Sequence, residues 1–249
     1  MAIISTESGH WYDLKGNPAY TITGSKGQER NTTLRDARKV GLVPSVTTIL
    51  SVLAKPGLER WKMIQLLQSA LTLPKLEGES LDGYAERVIA DSQEQGKKAR
   101  DLGTGIHGSI ERYFLGLSYD NKSRVAAALD VLPQGQEWSA EKSFSSHFGF
   151  GGKCDLHSEN WVIDFKTKEF SEVDGLKIWD EHAMQLAAYR YGLGKHSARC
   201  AICYVSTISD IAHLIEIGEE ELARGWAMFY HTLSLWIEQK KYNPSFAKK

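Results

Sequence analysis

No stretch of this 249-residue chain approaches the ~20 consecutive apolar residues that a membrane-spanning helix needs. Cysteine is scarce: three thiols, an odd number, make a disulfide framework an unsuitable reading and point to free thiols in a reducing compartment. Cys200 and Cys203 have C-x-x-C spacing, but they fall in a run that reads as a buried strand, where residues three apart point to opposite faces, and no second pair exists. Structural zinc and an iron-sulfur cluster are therefore not expected. Charge of one sign is not in excess either, with 30 Lys and Arg against 31 Asp and Glu, so no global basic field advertises a nonspecific nucleic-acid binder. Proline is sparse at six residues, and neither a low-complexity linker nor an internal repeat divides the chain. Met1 to Asn17 has no basic stretch followed by an apolar one and no arginine-rich amphipathic pattern, which leads us to expect a cytoplasmic protein.

What the chain does contain is Phe148 to Lys168, FGFGGKCDLHSENWVIDFKTK, in which two apolar runs flank the polar cluster His157-Ser158-Glu159-Asn160. Such a cluster reverses a hairpin. With an even loop, Leu156 should face Trp161, Asp155 should face Val162 and Lys153 should face Asp164. Side-chain alternation then puts Asp155 on the same face as Asp164 and Lys166, and collects Cys154, Leu156, Trp161, Ile163 and Phe165 on the other as an apolar surface for helices to cover. An ordinary half-exposed strand alternates in the same way, with Asp164 and Lys166 as a surface ion pair of little energetic consequence. The company these residues keep must decide between the two.

Downstream, Trp179 to Leu193 has helical periodicity and places Gln185 and Tyr189 on one face. Upstream, Gly103-Thr104-Gly105-Ile106-His107 opens a stretch in which His107 and Glu111 are likewise four apart. The order His107, Gly152-Lys153-Cys154-Asp155, Asp164-Phe165-Lys166, Gln185-Leu186-Ala187-Ala188-Tyr189 resembles the PD-(D/E)XK nuclease superfamily in its RecB-like branch. That pattern runs helix histidine, Gly-x-x-Asp, Asp/Glu-x-Lys, Gln-x-x-x-Tyr, and it covers roughly Gly103 to Val205. The proline that gives the superfamily its name is replaced here by Cys154. Val43 to Lys62 is also similar to the N-terminal part of the mitochondrial genome maintenance exonucleases and their phage relatives, which suggests a bacterial or phage-encoded protein.

The resemblance implies a divalent-metal-dependent exonuclease acting on DNA ends, single-stranded DNA first among its substrates. It implies Asp155, Asp164, His107 and the carbonyl of Phe165 as ligands of one or two Mg2+ or Mn2+ ions. Lys166 would serve as the group that orients the attacking water, Gln185 and Tyr189 would stand behind the site, and Glu141 and Glu111 would assist it. A lysine beside bound metal has reason to have a lowered pKa. Lys97, Lys98, Arg100 and Lys168 are the candidate DNA contacts. A near-neutral chain is compatible with this, because bound divalent cations attract phosphate themselves. Two rival classes stand beside it: a structure-specific endonuclease or an RNase, and a non-catalytic nucleic-acid-binding module that retains the fold. No P-loop, no dinucleotide-binding glycine pattern and no serine or cysteine nucleophile is signalled.

The remaining elements follow from periodicity. A hairpin turning at Lys15 to Pro18 is expected first, then a helix capped by Ser45 and ended before Pro56. A helix from Leu58 to Leu71 should bury Trp61. A helical stretch runs from Leu81 to Leu117, with an interruption near Gly96 and Leu102, Ile106, Ile110 and Tyr113 or Phe114 as its buried stripe. Its Gly103, Gly105 and Gly108 would each cost ~1 kcal/mol against alanine, so something must approach the backbone closely there. A helix from Ser123 to Leu132, strands over Trp138 to His147, Ala198 to Ser206 and Ile211 to Ile217, and an amphipathic helix from Glu219 to Tyr242 complete the chain. The architecture expected is α/β: a small mixed central sheet flanked by helices, of the restriction-endonuclease-like kind the resemblance implies. It is expected as one domain, residues 1–100 a hairpin and helical elaboration and 101–249 the core.

Overall fold

Two clusters of buried apolar side chains lie on opposite faces of one sheet, and the alternation of β-strand side chains separates them. The computed structural model describes residues 9–24 and 27–244; the targeting-signal reading of Met1 to Asn17 falls partly outside these. In order the elements are β1 (Trp11–Tyr12), β2 (Thr21–Thr23), β3 (Glu29–Asn31), α1 (Leu34–Val40), β4 (Val43–Pro44), α2 (Val46–Leu50), α3 (Pro56–Thr72) and α4 (Leu81–Phe114). Then come α5 (Lys122–Val131), β5 (Ser139–Ser145), β6 (Gly151–His157), β7 (Trp161–Lys168), α6 (Asp180–Gly192), β8 (Arg199–Ser206), β9 (Ala212–Ile217) and α7 (Glu219–Lys240).

Strands β5 to β9 form a five-stranded mixed sheet in the order 5-6-7-8-9, antiparallel except where β7 runs parallel to β8. The parallel step requires a crossover, and α6 supplies it. On one face α4 and α5 bring Ile106, Ile110, Val125 and Ala128 against Leu156, Trp161, Ile163, Phe165, Cys203 and Val205. On the other, α2, α6 and α7 bring Ile49, Leu186, Phe229 and Trp236 over Val162, Cys200 and Ile202. A central mixed sheet flanked by helices is thus the observed architecture. Cys200 and Cys203 fall in opposite clusters, as strand alternation requires, and both are free thiols. Among the described residues no helix is long and apolar enough to cross a membrane.

Local chemistry explains the ends of the elements. Asp13 accepts from the backbone N–H groups of Lys15 and Asn17, both at 2.8 Å, and Gly16 takes a φ of 87°, which closes the first turn. Ser45 caps α2 by accepting from the Thr48 N–H at 2.9 Å. Pro56 starts α3 at its first turn, where its missing N–H has no partner to lose.

Three expectations fail in the helices. Gly96 does not interrupt α4, which is continuous over 34 residues. A Cβ built on Gly96 would sit 3.4 Å from the Trp61 ring, so this glycine serves the α3 contact. Leu102 is 43% exposed and Tyr113 38%, so the buried stripe of α4 begins at Gly103 and Ile106, where the helix meets the sheet. Trp61 is 40% exposed rather than core, because α3 packs chiefly on the N-terminal half of α4, and that half has left the sheet.

Candidate metal centre and active site

The β6–β7 hairpin closes two residues away from the expected register. Leu156 pairs with Ile163 and His157 with Val162. Ser158 is the cause: its N–H donates to the Trp161 carbonyl at 2.9 Å and its hydroxyl accepts from the Asn160 and Trp161 N–H groups at 3.2 and 3.1 Å. The turn is therefore Ser158 to Trp161. A shift of two by itself preserves the faces of paired residues such as Leu156 and Ile163, whereas a shift of one would have inverted them.

Regular pairing then stops before Asp155 and Asp164. Instead of a backbone partner, the Phe165 N–H donates to the Asp155 carboxylate at 2.9 Å. On the other side of β6, the ladder to β5 lacks a rung between Ala140 and Lys142, where Glu141 has a φ of 56°. This break corrects the expected face of Cys154, which belongs to the α6 cluster while Leu156 belongs to the α4 cluster. Cys154 and Leu156 separate because the pleat fails at the residue between them. Asp155 thus turns toward α4, and Asp164 turns toward α6.

Toward α4, the Asp155 carboxylate lies 2.9 Å from His107 Nε2. Glu141 joins these two, and ligand atoms of His107, Glu141 and Asp155 all lie within 4.8 Å of one another. This group could hold a metal ion. One imidazole nitrogen with two carboxylate oxygens suits a divalent ion of intermediate hardness such as Mn2+, and also admits Mg2+. Lys153 pairs with Glu141. Glu111, one helical turn beyond His107, is close enough for its charge to act on both Glu141 and Lys153.

Toward α6, the side chains form a closed relay. Lys166 Nζ lies 2.7 Å from Asp164 Oδ2 and donates to Gln185 Oε1 at 3.2 Å. Gln185 Nε2 donates to Asp164 Oδ1 at 2.8 Å and to the Tyr189 hydroxyl at 3.0 Å. The two sequence motifs, Asp-x-Lys on β7 and Gln-x-x-x-Tyr on α6, thus meet side chain to side chain. Gly152 makes room for this, since a Cβ there would lie 2.8 Å from Phe144 and 2.9 Å from Tyr189.

Electrostatics follow from packing three carboxylates together out of water. Burial disfavours the Asp164 anion and the like charge of Asp155 adds to that, so its pKa stands above the ordinary carboxylate range despite Lys166. Burial works the same way on Asp155, but the His107 charge and hydrogen bond, Lys166 and the Phe165 N–H outweigh it, and its pKa is lowered. Burial opposes the His107 cation, yet the charge and hydrogen bond of Asp155 prevail and raise its pKa to about 9. Lys166 is also raised, because Asp164 more than offsets its burial. The carboxylates around the ammonium thus shift it in the direction opposite to the lowering expected of a lysine beside a bound ion.

The candidate DNA contacts are dispersed. Lys97, Lys98 and Arg100 are exposed on the half of α4 outside the sheet, with Lys98 paired to Glu94 at 3.1 Å, and Lys168 is exposed at the end of β7. Gly103 abuts the sheet, a Cβ there reaching 2.5 Å from Thr167, while Gly105 and Gly108 face open space. Close approach to the sheet therefore explains only the first of the three. Sequence reasoning had no signal for Lys153 as the partner of Glu141, since the left-handed backbone at Glu141 is not encoded in any local pattern.

The structure so far defines a mixed α/β protein with a histidine-carboxylate cluster suited to a divalent cation. No protein-family model matches the chain, and no curated protein does. Among solved structures it is similar to a "putative exonuclease" from Eubacterium rectale, at 12% identity and a TM-score of 0.42 over 56% of this chain and 68% of that one. A second, SSO0001, is similar at 14% identity and a TM-score of 0.31 over 75% and 88%. At these TM-scores neither likeness bears on function.

Proposed function

We propose that this chain is a divalent-metal-dependent nuclease of the PD-(D/E)XK kind, one nuclease unit in which residues 1–100 elaborate a core formed by residues 101–249. It acts as an exonuclease on DNA ends, with single-stranded DNA as its preferred form. The observation that carries the reading is the meeting of His107, Glu141 and Asp155 within 4.8 Å, next to a half-buried Lys166 held by Asp164 and Gln185. Phosphodiester hydrolysis needs a dianionic transition state neutralised and a water placed in line, and carboxylates around a divalent ion meet that need.

In this reading His107, Asp155, Asp164 and the Phe165 carbonyl hold the metal, with Glu141 as an additional carboxylate. When bound, the ion would polarise phosphate and lower the pKa of its water. Two carboxylates whose like charges strain each other, as those of Asp155 and Asp164 do, gain most from a shared cation. Gln185 keeps Asp164 and Lys166 in one plane of hydrogen bonds, and Tyr189 fixes Gln185 in turn. Lys166 orients the attacking water or counters the charge that develops on phosphate.

The test is the product pattern from an end-labelled linear single strand and from a closed circle of the same sequence, each with Mg2+ and with Mn2+. Stepwise products from the linear strand and an intact circle are expected. Rapid cutting of the circle would make the protein an endonuclease, success on RNA alone would move it to another substrate class, and no cleavage at all would leave a binding module.

A further inference from the structure

Helix α3 turns its apolar side chains away from the body of the protein. Trp61 is 40% exposed, Met63 59%, Leu66 38% and Ile89 of α4 45%. Between α3 and α4 lies a cleft of ≈ 660 Å³ walled by Trp61, Lys62 and Leu66 on one side and by Ile89, Lys97 and Arg100 on the other. Lys62 is paired with Glu59 at 2.8 Å, but Lys97 and Arg100 make no ion pair among the described residues. The cleft is thus an apolar floor rimmed by uncompensated positive charge. Nothing in the metal centre uses it.

Its position on α4 matters. Ile89, Gln93, Gly96, Arg100 and His107 recur at intervals of three, four or seven residues, so they share one helical face. With a rise of ~1.5 Å per residue, Gly96 stands about 16 Å along the helix from His107. The cleft and the candidate metal centre are two stations on one stripe. Between them on this stripe stands Gly103, which has no side chain to project and lies against Thr167 of β7.

We infer that this cleft is a binding subsite for a single strand of nucleic acid, with a base stacked on Trp61 and phosphates held by Lys97 and Arg100. It rests on the nuclease reading for its link to cleavage, though not for binding itself. Stacking on an aromatic ring accepts any base, while two unpaired cations track the backbone. A duplex keeps its bases inside the stack and has none to lay on the indole. Gly96 is part of the device, because its missing side chain lets the ring lie against α4.

The experiment measures binding of oligothymidylates of about four and about twelve nucleotides to the full chain in chelator, where no cleavage occurs. The wild type should hold the longer strand more tightly. Trp61→Ala should weaken the longer strand about five- to 150-fold, as loss of one stacked base predicts, and erase the gain with length, while Trp61→Phe restores most of it. Lys97→Gln and Arg100→Gln should each lower the salt slope by about 0.7. Unchanged affinity in Trp61→Ala overturns the subsite, as does a Trp61→Ala chain that changes oligomeric state with its strand affinity intact, which would give the cleft to a second copy. A wild type that binds through Trp61 but cleaves no nucleic acid with either metal would refute the nuclease reading and leave the subsite standing.

Discussion

The half of α4 that lies on the sheet and the half that leaves it belong to one continuous helix, yet they obey different rules. From Gly103 to Phe114 the helix buries Ile106 and Ile110 completely and presents His107 to Asp155 across a 2.9 Å contact. From Leu81 to Leu102 its main packing partner is α3, and aliphatic side chains such as Met63, Leu67, Leu81 and Ile89 stay exposed. In the first half a half-buried histidine is matched to a carboxylate; in the second Val88 is buried, but Leu81, Ile89 and Leu102 stay exposed. Buried, fully partnered polar clusters fix geometry for chemistry, while exposed apolar surface marks a place where something docks. The difference separates a matched polar cluster from an uncovered apolar surface, the two features that the nuclease and strand-subsite proposals use.

The sharpest way to break this division is to remove Lys166, the group we assign to the chemical step in the matched half. Lys166→Ala should lower kcat by about 10²- to 10⁴-fold, the range for a positioned proton-handling group, while strand affinity stays near the wild-type value. Single-turnover cleavage alongside chelator binding measures both. Near-normal turnover would assign the water to another residue.

Next in size is metal affinity. Asp155→Ala and Asp164→Ala should each weaken Mn2+ binding by more than about tenfold, since a hard cation loses an oxygen from its cage. Glu141→Ala should weaken it by a similar factor, because Glu141, like Asp164, is paired with a lysine but lies within 4.8 Å of His107 and Asp155. Calorimetry decides: undiminished Mn2+ affinity in Asp164→Ala would confine the ion to His107, Glu141 and Asp155 and make Asp164 a holder of Lys166 only.

How much of this was legible in the chain depends on what each signal encodes. Strand alternation reports parity, and parity held within β7, where Asp164 and Lys166 share a face, but not across the hairpin: Asp155, expected on that face, turns to His107 of α4 instead. Register was not legible, because it was set by a Ser158 hydroxyl that closes the turn one residue later than composition suggests. The separation of Cys154 from Leu156 was not legible either, since it follows from the left-handed backbone at Glu141 on a neighbouring strand. Helical periodicity located α3 and α4 to within a few residues. It cannot say whether an apolar stripe is covered, which is why Trp61 and Leu102 were expected inside and lie outside.

Acidity sharpens the comparison through the His107–Asp155 contact. The folded-state pKa of His107 is about 9 against an ordinary 6.5, so the proton it holds stabilises the metal-free fold fully below about pH 6.5. That contribution is lost as pH rises from about 6.5 through about 9. Thermal unfolding in chelator should show His107→Gln losing stability relative to wild type at pH 6 and approaching it at pH 9.5. Since binding an ion requires the imidazole to shed that proton, Mn2+ affinity should rise over the same interval. A Mn2+ affinity flat across that range would remove His107 from the ligand set.

The smallest expected effects come from glycines in differently packed places, and they test whether open space along α4 is kept for substrate. In the packed body, Gly225→Ala would drive a Cβ to 2.7 Å from the Ala183 backbone where α6 and α7 cross, and overpacking of this kind costs about 1–3 kcal/mol. Gly105 and Gly108 meet nothing within 4 Å, so alanine at either should gain up to ~1 kcal/mol from helix propensity alone. The two should then part company in function. Gly105 lies two residues from His107 on the exposed side, and Gly105→Ala should leave strand cleavage as it was while raising the midpoint of thermal unfolding. Gly108 is the residue next to His107 and three before Glu111, so a methyl there enters the open space beside the candidate metal centre, and Gly108→Ala should raise stability while lowering kcat/KM. Equal gains in stability with equal, undiminished cleavage would show that the space beside His107 is spare, and that the strand reaches the metal centre by another route.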